Sequence, residues 1–370
     1  MPADRIPHAL AVSAAALVGG ALSPGLASAG DGANSAAVEQ ARMLAAAATA
    51  AQQRPELRPM HRVPAIRAAM AAARGDEDMR VFGGQTAAPG AWPFQVGLMF
   101  SEVLDDTAES QYFAQFCGGS LIAPDWVLTA AHCIDDGGEV LLPAAVTVLA
   151  GATDLTEGSR HAVAAVIAHE GYDPFTLNHD IALLRLAEPV DLPAIALADT
   201  TPDEGAVLVT GWGMTEDETF PVALMEAEVE LRPNAACNSG IQEIYRRDLA
   251  MLLQQAAWRM GFGGEAISAA VSAVAGGFDD PLSDNMLCAG VDEGKRDACY
   301  GDSGGPLFAL GDDGPVLHGV VSWGEGPMDG GAACGHAGAY GVYARVAHHR
   351  DWIDTQMAAS DDAPVATTAD

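Results

Sequence analysis

The stretch RDACYGDSGGPL, residues 296–307, brings together what hydrolytic chemistry requires. Ser303 sits among glycines 301, 304 and 305, with Asp297 and Asp302 on the same loop and Cys299 four residues upstream. A serine hydroxyl is a weak nucleophile; it needs a base to take its proton and donors to hold the oxyanion that follows. Glycines let the backbone approach a substrate closely and take φ values other residues avoid. The N–H groups of Gly301 and Ser303 are therefore the candidate oxyanion donors. Two partners for the hydroxyl lie upstream. LTAAHC places His132 after an apolar, β-rich run, and NHDIALLRL places Asp180 at the head of another. An aspartate that fixes an imidazole's tautomer, and an imidazole that reaches a serine, together make an activated nucleophile. His179, beside Asp180, is assigned to the loop, because neighbouring strand positions face opposite ways.

GDSGG also fits G-x-S-x-G, the elbow of α/β-hydrolases. That fold needs its acid and histidine downstream of the serine, on parallel strands alternating with helices. Only 67 residues follow Ser303, and few helical patterns precede it. An α/β-hydrolase-type esterase is thus one alternative. A non-catalytic binding module is another alternative, although all three residues of the trio are present here.

Positioning these residues falls to strands. From residue 81 onward short β-type runs follow one another, among them FQVGLMF, AAVTVLAG, DIALLRL, AVLVTGWG, AEVELR and GVYARV, separated by Gly, Pro, Asn and Asp. Many short strands without intervening helices predict an all-β barrel or sandwich. One block departs from this. IQEIYRRDLAMLLQQAAWRM, 241–260, places its apolar residues at helical spacing, and after GFGG the run EAISAAVSAVA repeats the signal more weakly. The expectation is a helical hairpin inserted over about 241–277, a final helix in VAHHRDWIDTQM, and a polar tail over 358–370.

The first 80 residues have a different texture. Residues 1–29 read as a secretory signal, with Arg5, the apolar run ALAVSAAALVGGAL and the small residues ASA at 27–29. Residues 30–80 form an alanine-rich leader with a predicted helix in VEQARMLAAAATAAQQ. Six arginines against one acid over 40–74 give the leader a local charge of +5, whereas residues 81–370 carry −33. The opposite signs predict electrostatic docking of the leader; a solvated linker is the alternative. So acidic a domain repels nucleic acid and anionic membranes, which excludes both as partners, and it tolerates basic peptides. Six cysteines, all beyond residue 80, fit export to an oxidising compartment. Their spacing alone leaves fifteen pairings. No pattern of metal ligands appears, so neither a metal nor a cofactor is expected.

VFGG at 81, CGGSLIAPDWVLTAAHC at 117, HDIALLRL at 179, GWG at 211, MLCAG at 286, DACYGDSGGPL at 297, VSWG at 321 and GVYARV at 341 run in register from about 81 to 357. Together they resemble the chymotrypsin/trypsin family of secreted serine endopeptidases. The resemblance implies two antiparallel six-stranded Greek-key barrels, about 81–190 and 191–345, a final helix at 346–357, and a site in the crevice between the barrels. It implies a catalytic triad of His132, Asp180 and Ser303, an acyl-enzyme, and an oxyanion hole from Gly301 and Ser303. It pairs Cys117 with Cys133, Cys237 with Cys288 and Cys299 with Cys334. Asp297 would floor a pocket selecting Arg or Lys, kept open by Gly324 and Gly341. Ser322 would line the triad aspartate, and Ser322–Gly324 would pair with substrate as a strand. A cut between Arg80 and Val81 would free an ammonium to pair with Asp302 and order the oxyanion loop. The family more often has isoleucine and valine there, where this chain has Val81 and Phe82. The partners implied are protein or peptide substrates bearing Arg or Lys, and protein inhibitors; the place is extracellular or periplasmic. The loop after residue 151 lacks the spaced glutamates of a calcium site. The helical insertion falls where the family has a loop flanking the cleft, which predicts an exosite or lid, with a plain surface hairpin as the alternative.

Overall fold

The computed structural model describes residues 59–73, 84–216, 219–328 and 334–361. The expected signal, the expected helix over 38–53 and the Arg80–Val81 junction lie outside the described residues.

After helix α1 (Pro59–Ala73) and the two-residue strand β1 (Gln85–Thr86), a first barrel is built from β2 (Gln95–Phe100), β3 (Gln115–Ala123), β4 (Trp126–Thr129), β5 (Val146–Ala150), β6 (Ser159–Ala168) and β7 (Ala182–Leu186). The order β2-β3-β4-β7-β6-β5 closes through the β2–β5 pairing, with every neighbour antiparallel. Helix α2 (Glu109–Ala114) leads into β3, and the single turn α3 (Ala131–Ile134) follows β4. The second barrel follows the short strand β8 (Ala196–Leu197). It uses β9 (Gly205–Gly211), β10 (Met225–Arg232), β11 (Met286–Gly290), β12 (Pro306–Gly311), β13 (Gly314–Trp323) and β14 (Gly341–Arg345). The order β10-β11-β14-β13-β12-β9 closes because β9 also pairs with β10. β1 adds to β10, and β8 adds to β13 in parallel, the one departure from an antiparallel pattern among the described strands.

Sequence period explains the strands. In β10, Met225, Ala227, Val229 and Leu231 are buried, while Glu226, Glu228 and Glu230 between them face outward, the alternation of a half-buried strand. β2 is buried almost throughout, and its run is apolar rather than alternating. Leu98, Phe116, Leu121, Val148 and Leu183 fill the first barrel, and Val207, Val229, Leu287, Leu307 and Tyr343 the second. Burying one such Val, Leu or Phe contributes about 1.5–3 kcal/mol. Phe94, just before β2, packs edge-on against Phe308 of β12 with ring centroids 5.2 Å apart, and so joins the two barrels.

Three disulfides, Cys117–Cys133, Cys237–Cys288 and Cys299–Cys334, close separations of 16, 51 and 35 residues. On a chain-entropy estimate each contributes about 3–4 kcal/mol. The insertion is a pair of helices, α4 (Asn234–Met260) and α5 (Gly264–Ala275). α4 starts at Asn234, earlier than the expected 241, because Pro233 in an extended conformation opens the helix and Cys237 packs inward from its first turns. The last helix, α6 (Val346–Asp361), runs four residues into the expected tail. Met357, Ala358 and Ala359 are good helix formers. No described helix is long and apolar enough to cross a membrane.

Helix α1 was not anticipated, since Pro64 interrupts its hydrogen-bond ladder. It is held by packing. Met60, Val63, Pro64 and Arg67 share one face and are buried, and Met60 and Val63 join the core of the first barrel.

Candidate active site

His132 stands in α3, just after β4, and Asp180 stands two residues before the start of β7. The pairing of β4 with β7 brings these two ends of the first barrel together. Asp180 is fully buried. Its Oδ1 accepts the backbone N–H of His132 at 2.8 Å, and its Oδ2 lies 2.7 Å from His132 Nδ1. This places a proton on Nδ1 and leaves Nε2 as the basic nitrogen. Ser322 Oγ, from β13 of the second barrel, also donates to Asp180 Oδ2. Burial pushes the Asp180 carboxyl up. The charge of His132 and the hydrogen bonds from His132 and Ser322 outweigh that and hold it below the usual range. Burial likewise lowers His132, and the Asp180 carboxylate more than offsets it, so the imidazole is raised above its ordinary value.

Ser303 comes from the second barrel, on the turn before β12. The first barrel clamps its backbone, since Gly118 N of β3 donates to Ser303 O at 2.7 Å. Gly304 must be glycine here: its φ is +80°, and a Cβ would lie 2.2 Å from Thr129 Oγ1 and 2.5 Å from Gly118 O. The Tyr300 carbonyl accepts from Met214 N, and the Asp302 carbonyl from Gly305 N, both at 2.8 Å. In those trans peptides the N–H groups of Gly301 and Ser303 point the opposite way. Neither has an acceptor among the described residues. No hydrogen bond joins Ser303 Oγ to His132 in this structure; His132 Nε2 lies 3.8 Å from Cys133 Sγ.

Asp297 is buried. Ala298 N donates to its Oδ1 at 2.8 Å and Gly335 N to its Oδ2 at 3.4 Å. Burial pushes the carboxyl up to about 7, with those two N–H groups acting against it. A Cβ on Gly341 would lie 2.5 Å from Asp297 Oδ1, and one on Gly324 would meet nothing within 4 Å. Asp302 is also buried, accepting from Gly213 N at 2.7 Å and Cys299 N at 2.9 Å. Burial raises it to about 6, while those N–H groups and the charge of Arg67 pull the other way. Arg80 and Val81 lie outside the described residues.

Sequence reasoning missed several participants. Tyr343, on β14, buries a hydroxyl that has no hydrogen-bond partner among the described residues, beside the Asp297 carboxylate. Tyr245 of α4 donates to Glu325 Oε1 at 3.0 Å, and Asp248 accepts from Met328 N. The insertion therefore braces the segment that continues from Ser322–Gly324. His179 has a φ of +53°, and its Nδ1 lies 3.1 Å from Nε2 of buried His349 on α6. His169 stacks on His179 with centroids 4.5 Å apart. These three imidazoles tie the loop before Asp180 to the last helix. Their positions, scattered over 180 residues, gave no sequence signal.

Comparison with known proteins agrees with this arrangement. The family profile described as Trypsin matches residues 81–353. Trypsin-1 of Astacus astacus is 33% identical over 287 residues, covering 74% of this chain and 98% of that protein. Trypsin epsilon of Drosophila erecta is 32% identical over 286 residues, 75% of this chain and 87% of its own. Serine protease 56 of Homo sapiens is 34% identical over 299 residues, 76% of this chain and 39% of that longer protein. With most of its length matched by the family profile and by these relatives, on a pair of closed six-stranded barrels, the chain belongs to the trypsin family of serine proteases.

Proposed function

We propose that the chain is the zymogen of a secreted endopeptidase that cuts peptide bonds after Arg or Lys through Ser303, His132 and Asp180. One observation carries the reading. Asp180 of the first barrel accepts from both the backbone N–H and the Nδ1–H of His132, and Ser303 of the second barrel, bonded to the first through Gly118 N, sits on a loop whose Gly301 and Ser303 N–H groups have no acceptor among the described residues.

The chemistry follows from the roles these atoms can take. His132 Nε2 accepts the Ser303 proton as Oγ bonds to the substrate carbonyl carbon. The oxygen that gains charge is held by the N–H groups of Gly301 and Ser303. Asp180 keeps the imidazole in the useful tautomer and stabilises the imidazolium. The imidazolium protonates the leaving amine, and the peptide bond breaks. Water then loses a proton to His132 and attacks the acyl-enzyme, which releases the acid and restores Ser303. The approach of Ser303 Oγ to His132 Nε2 takes place in the substrate complex, where such bonds tighten.

Asp297 supports the preference for basic residues. A buried carboxylate that accepts from two backbone donors among the described residues gains most from an incoming guanidinium or ammonium. Gly341 leaves room beside it. Cleavage after Arg80 suits the same preference, and the N-terminal signal motif and the cysteine content support export. Replacing Ser303 by alanine and incubating the Arg80-cleaved protein with a peptide library tests the whole reading. The unaltered protein should cut after Arg and Lys and the variant should not; cuts spread over other residues would overturn the specificity.

A further inference from the structure

Arg67 takes no part in the chemistry above, yet its side chain is fully buried. It belongs to α1, on the leader side of the proposed cut. The carbon at the centre of its guanidinium lies 4.3 Å from the Phe220 ring centroid and 4.8 Å from that of Tyr112. Nη2 donates to Trp212 O at 2.7 Å and to Gln115 Oε1. Nε and Nη1 have no hydrogen-bond partner among the described residues. Burying a cation so completely is costly unless its charge serves another group.

Both bonds from Nη2 lead to the oxyanion loop. The peptide whose carbonyl is Trp212 O carries the Gly213 N–H, which donates to Asp302 Oδ1 at 2.7 Å. The amide whose oxygen is Gln115 Oε1 carries Nε2, which donates to Gly301 O at 2.9 Å. Arg67 thus heads two hydrogen-bond chains, each one amide long. One ends on the Asp302 carboxylate and the other on the Gly301 carbonyl. A charge at the head of such a chain polarises the amide and strengthens the bond beyond it.

We infer that Arg67 is a positioning residue of the uncut chain, supplying from the leader helix the buried positive charge that holds the Gly301–Ser303 loop in its oxyanion-binding form before cleavage frees an N-terminal ammonium. This rests on the protease reading above. Two cations then serve one carboxylate in turn: Arg67 before the cut and Val81 after it. The three disulfides all lie within residues 117–334, so none of them retains the leader once Arg80 is cut. The uncut chain has activity of its own, which lets one copy process another. A guanidinium suits the place because its flat, delocalised charge sits between aromatic faces while still donating in plane.

The test compares uncut R80Q, R80Q/R67M and R80Q/R67K with the Arg80-cleaved enzyme, reading the rate at which a fluorophosphonate labels Ser303. R80Q should label well above the S303A background. R67M in that chain should slow labelling about tenfold or more, the loss expected when a charged hydrogen-bond donor is removed, and R67K should restore part of it. Alkaline pH gives a second reading. The cleaved enzyme depends on an α-amino group with an ordinary pKa of about 8, raised by its carboxylate partner. The uncut chain depends on Arg67, lowered by burial to about 10, with Tyr112 and Asp302 the titratable groups that act on it. R80Q should therefore keep its labelling to higher pH than the cleaved enzyme. To show that R67M folds, the R67M single variant is cut at Arg80 by added trypsin. Its mature part lacks residue 67 and should label at the unaltered rate. R80Q at background, or R80Q/R67M labelling as fast as R80Q, overturns the inference while leaving the protease reading intact. A cleaved enzyme that fails to label overturns both.

Discussion

A side chain at Gly341 and the carboxylate of Asp297 exclude one another: a Cβ at that glycine would lie 2.5 Å from Asp297 Oδ1. The two residues lie 44 positions apart and meet because β14 pairs with β11, which leads into the loop carrying Asp297. Gly341→Ala should therefore displace either the carboxylate or the cation it receives. We expect kcat/KM for a single-residue arginine ester to fall about 10²-fold, the scale of removing one partner from a buried ion pair. An unchanged value would show that Asp297 is not where the substrate cation binds.

The raised carboxyl of Asp297 should also give the proposed specificity a pH dependence. Burial lifts its carboxyl to about 7 in the free enzyme. The protonated form has no charge to offer, so selectivity for Arg over an uncharged residue should grow as pH rises through 7 and fade below it. His132 titrates in both reactions and cancels from that ratio. Asp297→Asn should leave the ratio low and flat with pH, measured as kcat/KM for paired arginine and norleucine esters.

Asp180→Asn should keep the fold and lose the rate. An amide at that site favours the imidazole tautomer with the proton on Nε2, which cannot accept from Ser303. A fall in kcat of about 10⁴-fold is expected, a figure taken from the prototypes of this family rather than from this structure. Ser322→Ala removes one of the donors to Asp180 and should cost about tenfold, the scale of one hydrogen bond to a charged group. A loss for Asp180→Asn no larger than that would disprove the assigned roles.

The insertion is bonded to the segment after Gly324 through Tyr245 and Glu325. Burial raises the Glu325 carboxyl to about 7, with the Tyr245 bond lowering it and the nearby Asp248 raising it. Tyr245→Phe leaves that carboxyl buried without its donor. The change should alter kcat/KM for extended peptides by about tenfold, as for other buried acceptors left unpaired, and should spare a single-residue ester. Equal effects on both substrates would assign α4 a scaffolding role only.

His349 links stability to pH. Burial first, then the neighbouring histidines, lower it to about 4, while its bond to the Arg345 carbonyl acts the other way. The unfolded chain, with an ordinary imidazole near 6.5, binds this proton more readily than the folded one. The folded state therefore keeps its full stability above about pH 6.5 and loses it as pH falls toward 4, by up to about 3 kcal/mol. His349→Gln should flatten that part of the curve of midpoint denaturant concentration against pH.

The sequence by itself determined the local features: the glycine-flanked loop of Ser303, the alternation of β10, the helical period of the insertion, and eight motifs in order along one chain. Each of these is written over a few neighbouring residues, where backbone geometry ties spacing directly to direction. The tertiary structure alone decided what depends on distant segments meeting. Cysteine spacing left fifteen pairings open. His349 carries no mark of its approach to His179. Gln115 is one more strand residue until Gly301 lies against it. Arg67 reads in the sequence as one arginine of a basic leader, apt for solvent. Its burial beside Trp212 and Gln115 follows from the packing of Met60 and Val63 into the first barrel, a contact that no period in the leader encodes. Charge and hydropathy are properties of a residue, whereas desolvation and partnership are properties of the place the fold gives it.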